Sequence, residues 1–116
     1  MKKLVYLASA AALLFSCKTQ IGREATLRDI ARRETTLIID VRTPEEYLSG
    51  HVEKSVNIPL DVIAESTSQF ESGMYMIVVC RSGKRSAQAK KTLEEKGFAH
   101  VYDGGGWEAF DKLIKK

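Results

Sequence analysis

The feature that most constrains this chain is Tyr75-Met76-Ile77-Val78-Val79, five consecutive uncharged residues running directly into Cys80. A strand with one wet face alternates apolar and polar side chains. A continuous apolar run is instead covered on both faces, like the central strand of a parallel sheet. Parallel strands are joined by crossovers, usually helical, and the flanking sequence supplies that alternation. Thr36 to Val41 is a second dense apolar run with Asp40 at its end. Val56 to Ile58 is a short strand halted by Pro59, and Ala99 to Tyr102 a last strand before a turn at Gly104 to Gly106. Between them fall helical patterns. Leu27, Ile30 and Ala31 share one face within Thr26 to Glu34. Thr43-Pro44-Glu45-Glu46 is a capping box with Pro at the first helical position, opening a short helix through Leu48 that stops at Gly50. Leu60, Ile63 and Ala64 predict a helix from Leu60 to about Phe70. Ser86 to Lys96 is the strongest helix, with Ala89 and Leu93 inward and Gly97 as its C-cap; Trp107 to Ile114 closes the chain. The expected class is α/β, a small parallel β-sheet flanked by helices on both faces. Such sheets bind ligands beyond the carboxyl ends of their strands, where Asp40 and Cys80 both fall.

At 116 residues the chain holds one domain and little else. Lys2 and Lys3 precede an apolar run from Leu4 to Phe15 that is too short to span a bilayer. A basic start, a short apolar core and a small residue before the cut describe a secretory signal. Leu14-Phe15-Ser16-Cys17 resembles a bacterial lipobox, which implies a lipid on Cys17 and cleavage before it. The expected organisation is a signal peptide over 1–16, a tether over 17–25 and a domain over 26–116. The location implied is extracytoplasmic, lipid-anchored to a bacterial membrane on its periplasmic side or at the cell surface. Cleavage removes only Lys2 and Lys3 from the 18 basic residues, leaving 16 against 15 acidic ones. That balance offers nucleic acid no basic face. With Cys17 lipidated, Cys80 has no intramolecular partner, so a disulfide framework is excluded.

The segment Cys80-Arg81-Ser82-Gly83-Lys84-Arg85-Ser86 joins the central strand to a helix. A tight loop feeding a helix N-terminus can aim several backbone N–H groups at one point. Arg81, Lys84 and Arg85 add positive charge, and both effects favour thiolate over thiol. Cys80 is therefore the expected nucleophile, in a partly exposed electropositive setting, with no need of a neighbouring His. Asp40, Arg42, Glu46 and His51 lie at the same edge and read as polar braces rather than reacting groups. No metal-ligand spacing joins His51, His100 and the carboxylates, and no cofactor is expected.

Leu37-Ile38-Ile39-Asp40-Val41-Arg42, Glu45-Glu46-Tyr47, Gly50-His51-Val52 and Asn57-Ile58-Pro59, followed by the Cys80 to Ser86 loop and Gly104-Gly105-Gly106-Trp107, resemble the rhodanese family in order and spacing. The resemblance spans about Leu27 to Leu113. It implies a sulfurtransferase: Cys80 takes sulfur from a small anionic donor such as thiosulfate, becomes a persulfide, and passes the outer sulfur to a thiol or cyanide. It also implies that the backbone of residues 81–86 holds the persulfide. The chain departs from the family at Lys54-Ser55, where a Gly-Ala pair is usual. Two alternatives stand beside this reading. Cysteine phosphatases and arsenate reductases place five residues between Cys and Arg, whereas four separate Cys80 from Arg85, a loop better sized for one sulfur atom than for phosphate. A non-enzymatic persulfide carrier needs the same loop as the enzyme.

Overall fold

The computed structural model describes residues 20–116; the expected signal segment, Cys17 and residues 17–19 of the expected tether lie outside the described residues. A helix covers 20–31 (α1), followed by β1 (Leu37–Asp40), α2 (Pro44–Leu48) and β2 (Val56–Asn57). Two 3-10 turns, Leu60–Glu65 and Thr67–Gln69, lead into β3 (Tyr75–Cys80). The chain ends with α3 (Lys84–Glu95), β4 (His100–Gly106) and α4 (Trp107–Ile114). The four strands form one parallel sheet in the order β2-β1-β3-β4.

The apolar run at 75–79 is central, as its composition requires. Met76, Ile77, Val78, Val79 and Cys80 are all 0% exposed. Successive side chains alternate between two cores. Met76, Val78 and Cys80 pack with Ile63, Ala89 and Leu93 beneath α3 and the first 3-10 turn. Ile77 and Val79 pack with Leu27 and Ile30 of α1 and Phe110 of α4. Each such side chain contributes about 1.5–3 kcal/mol by leaving water, so β3 is the element the fold can least afford to disturb.

Three expected elements differ by more than a residue or two at their ends. Residues 20–25, read as tether, are already helical; Arg23 reaches from them to the carbonyl of Asp103 at 2.9 Å, and Leu27 buries the next turn. The helix expected from Leu60 to Phe70 is two 3-10 turns closed by bonds such as Ser66 N–H to Ile63 O. Only Ile63 in this segment is buried. Its Ser/Thr-rich end has no apolar stripe to hold a longer helix against the sheet.

The third difference concerns Gly104 to Gly106, which belong to β4 rather than to a turn. Val78 pairs with Asp103 but Val79 pairs with Gly105, so Gly104 is the extra residue of a bulge. Gly105 takes φ +74°, and its N–H is received by Asp103 Oδ1 at 2.9 Å. A Cβ on Gly104 would stand 2.8 Å from Val79 Cγ1, and one on Gly106 2.8 Å from the Arg81 carbonyl oxygen. The glycines let β4 press against β3 and the Cys80 loop.

Lys54 has a local explanation. Its ammonium donates to the carbonyls of Ala31 (2.9 Å) and Arg33 (3.1 Å), capping the carboxyl end of α1 from the loop before β2.

Candidate active site

Cys80 ends β3, and the chain turns at Gly83 (φ +100°) into α3. Helix α3 starts at Lys84, two residues ahead of the expected Ser86, so Lys84, Arg85 and Ser86 form its first turn. The Ser86 N–H of that turn faces back to the sulfur, joined by those of Gly83 and Ser82 from the loop. Gly83 N–H donates to Cys80 Sγ at 3.0 Å. Ser86 Oγ lies 3.5 Å from Sγ and 3.1 Å from the Gly83 carbonyl oxygen. The Ser86 hydroxyl has one proton, which can serve the carbonyl beside a thiol or turn to the sulfur beside a thiolate.

Burial pushes the Cys80 thiol up, but the Ser86 hydroxyl and the N–H groups of Ser86, Gly83 and Ser82 outweigh it and leave the thiol below its ordinary value. The thiolate is thus favoured chiefly by hydrogen-bond donors, with Arg85 adding a smaller Coulombic contribution. Arg81 and Lys84 extend into solvent. Arg85 is bound by Glu46 through two contacts of 2.7 and 3.0 Å. Its guanidinium is held charged chiefly by that carboxylate, with smaller Coulombic help from Cys80 and Asp40. The expected partial exposure of Cys80 is also not found: its side chain is fully covered. A β-strand end tucked between two helical elements hides the sulfur while still presenting it to backbone donors.

The polar residues beside the loop form two connected braces. Arg42 and Asp40 are a buried ion pair, with Arg42 Nη2 2.6 Å from Asp40 Oδ2. Arg42 also donates to the carbonyls of Gly50 (2.7 Å) and Glu46 (3.2 Å), and its guanidinium lies 4.8 Å from the centre of the Trp107 ring. Four backbone segments meet at this one side chain.

Glu46 is the second brace. It binds Arg85 with both oxygens and receives the Thr43 N–H at 3.1 Å, closing the capping box of α2. The Arg85 guanidinium is the main cause that holds its carboxyl down to about 2, against a smaller upward push from burial. His51 stands apart: its Nδ1 meets the Tyr47 carbonyl at 2.8 Å and its ring stacks on Tyr47 at 3.8 Å.

Asn57 has a role that composition alone does not reveal. Its amide donates to the carbonyls of Asp40 (3.0 Å) and Arg42 (2.9 Å), fastening the end of β1 to β2. A lone Asn before Ile58-Pro59 reads locally only as a strand end. The pairing partner becomes visible when Asp40 and Asn57 are placed side by side in the sheet.

A polar recess of about 300 Å³ opens beside the loop, between Arg42, Arg81, Trp107 and Glu108. Among the described residues no group of three His, Cys, Asp or Glu side chains is placed to hold a metal ion.

A parallel four-stranded sheet with a Cys-headed strand-loop-helix at its carboxyl edge defines the class of protein, and residues 24–113 match the rhodanese-like domain family: the chain belongs to it. Among its relatives, the thiosulfate sulfurtransferase PspE of Escherichia coli is 41% identical over 70 residues, covering 59% of this chain and 67% of its own length. A sulfurtransferase of Allochromatium vinosum is 30% identical over 82 residues, covering 71% and 77% respectively. Among solved structures, a rhodanese from Escherichia coli shares 39% identity at a TM-score of 0.59, over 63% of this chain and 88% of that one. The human single-domain sulfurtransferase TSTD1 aligns at a TM-score of 0.67 over 79% of this chain and 93% of its own, a likeness of fold alone at 20% identity.

Proposed function

We propose that this protein is a sulfurtransferase that carries sulfane sulfur on Cys80. The observation that carries the reading is the cradle itself: a Cys at the end of the central strand whose sulfur receives the Gly83 N–H at 3.0 Å and neighbours the Ser86 hydroxyl. In the first half-reaction the Cys80 thiolate attacks the outer sulfur of thiosulfate or a similar anionic donor. The donor's S–S bond breaks, sulfite leaves with the electron pair, and Cys80 becomes a persulfide. In the second, a nucleophile such as cyanide or a thiolate attacks the outer persulfide sulfur and the electron pair returns to Sγ. One transfer is thereby split into two displacements through a covalent intermediate.

The cradle supports both halves, because the sulfur atom it holds is anionic before loading and after release. Fixed N–H donors stabilise such charge without reorganising at the moment of reaction. The free N–H groups of 81–86 are the natural holders of the persulfide's outer sulfur. Arg81 and Lys84, unpaired among the described residues, would draw the anionic donor. Asp40, Arg42 and Glu46 serve as braces, while His51 packs on Tyr47 of α2. The four-residue spacing from Cys80 to Arg85, with Arg85 engaged by Glu46, argues against phosphate or arsenate as substrate.

The lipobox at Leu14 to Cys17 supports a lipid anchor outside the cytoplasm, and radiolabelled palmitate incorporation lost in Cys17→Ala would test it. For the chemistry, thiosulfate:cyanide turnover is measured with Cys80→Ser as control. Turnover in the native protein and none in the variant is expected. Arsenate or phosphate-ester turnover without sulfur transfer would overturn the proposal. A one-sulfur mass gain on the Cys80 peptide without turnover would convert the enzyme into a carrier.

A further inference from the structure

The two partners of the Arg85–Glu46 ion pair line different recesses. On one side lies the polar recess under Arg81. On the other, a groove of about 510 Å³ is walled by Val41, Pro44, Pro59, Leu60 and Val62, within the size range of small-molecule sites. Resting on the sulfurtransferase reading above, we propose that this groove is the acceptor subsite and takes a small thiol with an apolar body and a cationic group.

The groove wall adjoins the Cys80 strand in the sheet. Asp40 pairs with Val79, so Val41, in the groove wall, comes level with Cys80, and both pack in one apolar cluster. Arg85, which lines the groove, belongs to the Cys80 loop. The walls are suited to an apolar body. Two prolines stiffen them, and Val62 stays 39% exposed at the surface although it is aliphatic.

Charge then selects the head group. The charge of Arg85 is matched by Glu46, which leaves the exposed carboxylates of Glu45 and Asp61 to set the sign of the groove. Neither has an ion-pair partner among the described residues. An anionic donor is repelled there and drawn to Arg81 and Lys84, whereas a cationic acceptor is drawn in. The two half-reactions therefore use opposite flanks of one sulfur. In the acceptor step the bound thiolate RS⁻ attacks the outer sulfur of Cys80–S–SH. The Sγ–S bond breaks, its electron pair stays on Sγ, and the products are R–S–SH and the Cys80 thiolate.

The test uses the full chain at low ionic strength with thiosulfate as donor. Cysteamine, mercaptoethanol and mercaptoethanesulfonate serve as cationic, neutral and anionic acceptors, and Glu45→Gln/Asp61→Asn is compared with the native protein. Intrinsic thiol reactivity cancels in the native-to-variant ratio for each acceptor. We expect kcat/KM to fall about three- to tenfold for cysteamine, to rise for mercaptoethanesulfonate and to stay level for mercaptoethanol, the range exposed charges produce over a few ångströms. Val62→Ser should lower kcat/KM for aminohexanethiol more than for cysteamine. Ratios that move together for all three acceptors, or not at all, would overturn the groove as acceptor site. Single-turnover loading of Cys80 by thiosulfate separates the two levels of failure. Normal loading with no change in acceptor preference sinks the groove alone, whereas no loading of the native protein sinks the sulfurtransferase reading and the groove with it.

Discussion

Ser86→Ala removes one oxygen from the Cys80 cradle, together with its hydrogen bond to the Gly83 carbonyl. Ser86 is fully buried, in the first turn of α3 and next to Ala87, so alanine fits the helix and leaves a gap of a single atom. Its hydroxyl is the largest of the contributions that pull the Cys80 thiol down against the opposing push of burial. A hydrogen bond to a charged group is worth about 1.5–3 kcal/mol. The Oγ–Sγ separation of 3.5 Å argues for the lower end of that range. Losing that bond should therefore disfavour the thiolate by about 1.5 kcal/mol and push the thiol up.

The assay is the pH dependence of iodoacetamide alkylation, read by mass spectrometry on the peptide carrying Cys80. An opening that uncovers the sulfur while keeping the Ser86 contact scales the rate at every pH, by the same factor in both proteins, and leaves the midpoint in place. Only the thiolate reacts, so below both midpoints the variant should alkylate, and load sulfur from thiosulfate, on the order of tenfold more slowly. Well above them the two proteins should converge. A midpoint that does not move, or moves down, in a variant with native circular dichroism would refute the assignment of the thiolate to the Ser86 hydroxyl.

Four further outcomes follow from the same geometry. Glu46 is held down to about 2 in the folded chain against 4.5 when unperturbed, so its ion pair stabilises fully above pH 4.5 and is lost as pH falls through 2. Because the carboxylate is 29% exposed, the contribution is discounted to about 1 kcal/mol, and the melting-temperature gap between native protein and Glu46→Gln should close over that window. Asp40→Asn leaves the Arg42 charge in a buried site with no counter-charge, held only by neutral acceptors and the Trp107 ring, and should cost about 3 kcal/mol in urea unfolding. Gly106→Ala sets a Cβ 2.8 Å from the Arg81 carbonyl oxygen, so sulfur loading of Cys80 should fall while far-UV circular dichroism is retained. Lys54→Met uncaps α1 at the Ala31 and Arg33 carbonyls, lowering stability by about 1 kcal/mol with no change in the alkylation midpoint of Cys80.

How far the sequence reached depended on the range of the force involved. The capping box at Thr43 and Glu46 was legible because both partners lie within four residues, and the helix end at Gly97 because one glycine at φ +100° completes it. The bulge in β4 was not legible. Three glycines in a row read as a turn when seen alone, and only the approach of Val79 and Arg81 shows why side chains are excluded there. Leu60 to Phe70 carried helical spacing, but the core reached only Ile63, and tertiary contact decides helix length more strongly than spacing does.

By itself, the sequence determined the central strand, its crossover partners and the cysteine at its end, since an unbroken apolar run must be covered on both faces and Cys80 follows it directly. The tertiary structure alone decided what surrounds that sulfur. Counting nearby cations placed Arg85 beside it as a free charge, yet Glu46, 39 residues away in sequence, takes that charge. The N–H groups of the loop and the Ser86 hydroxyl take over the electrostatic work. Propensity and patterning act through neighbours along the chain, whereas Coulombic pairing and hydrogen-bond direction depend on distances through space that only the folded sheet brings into being.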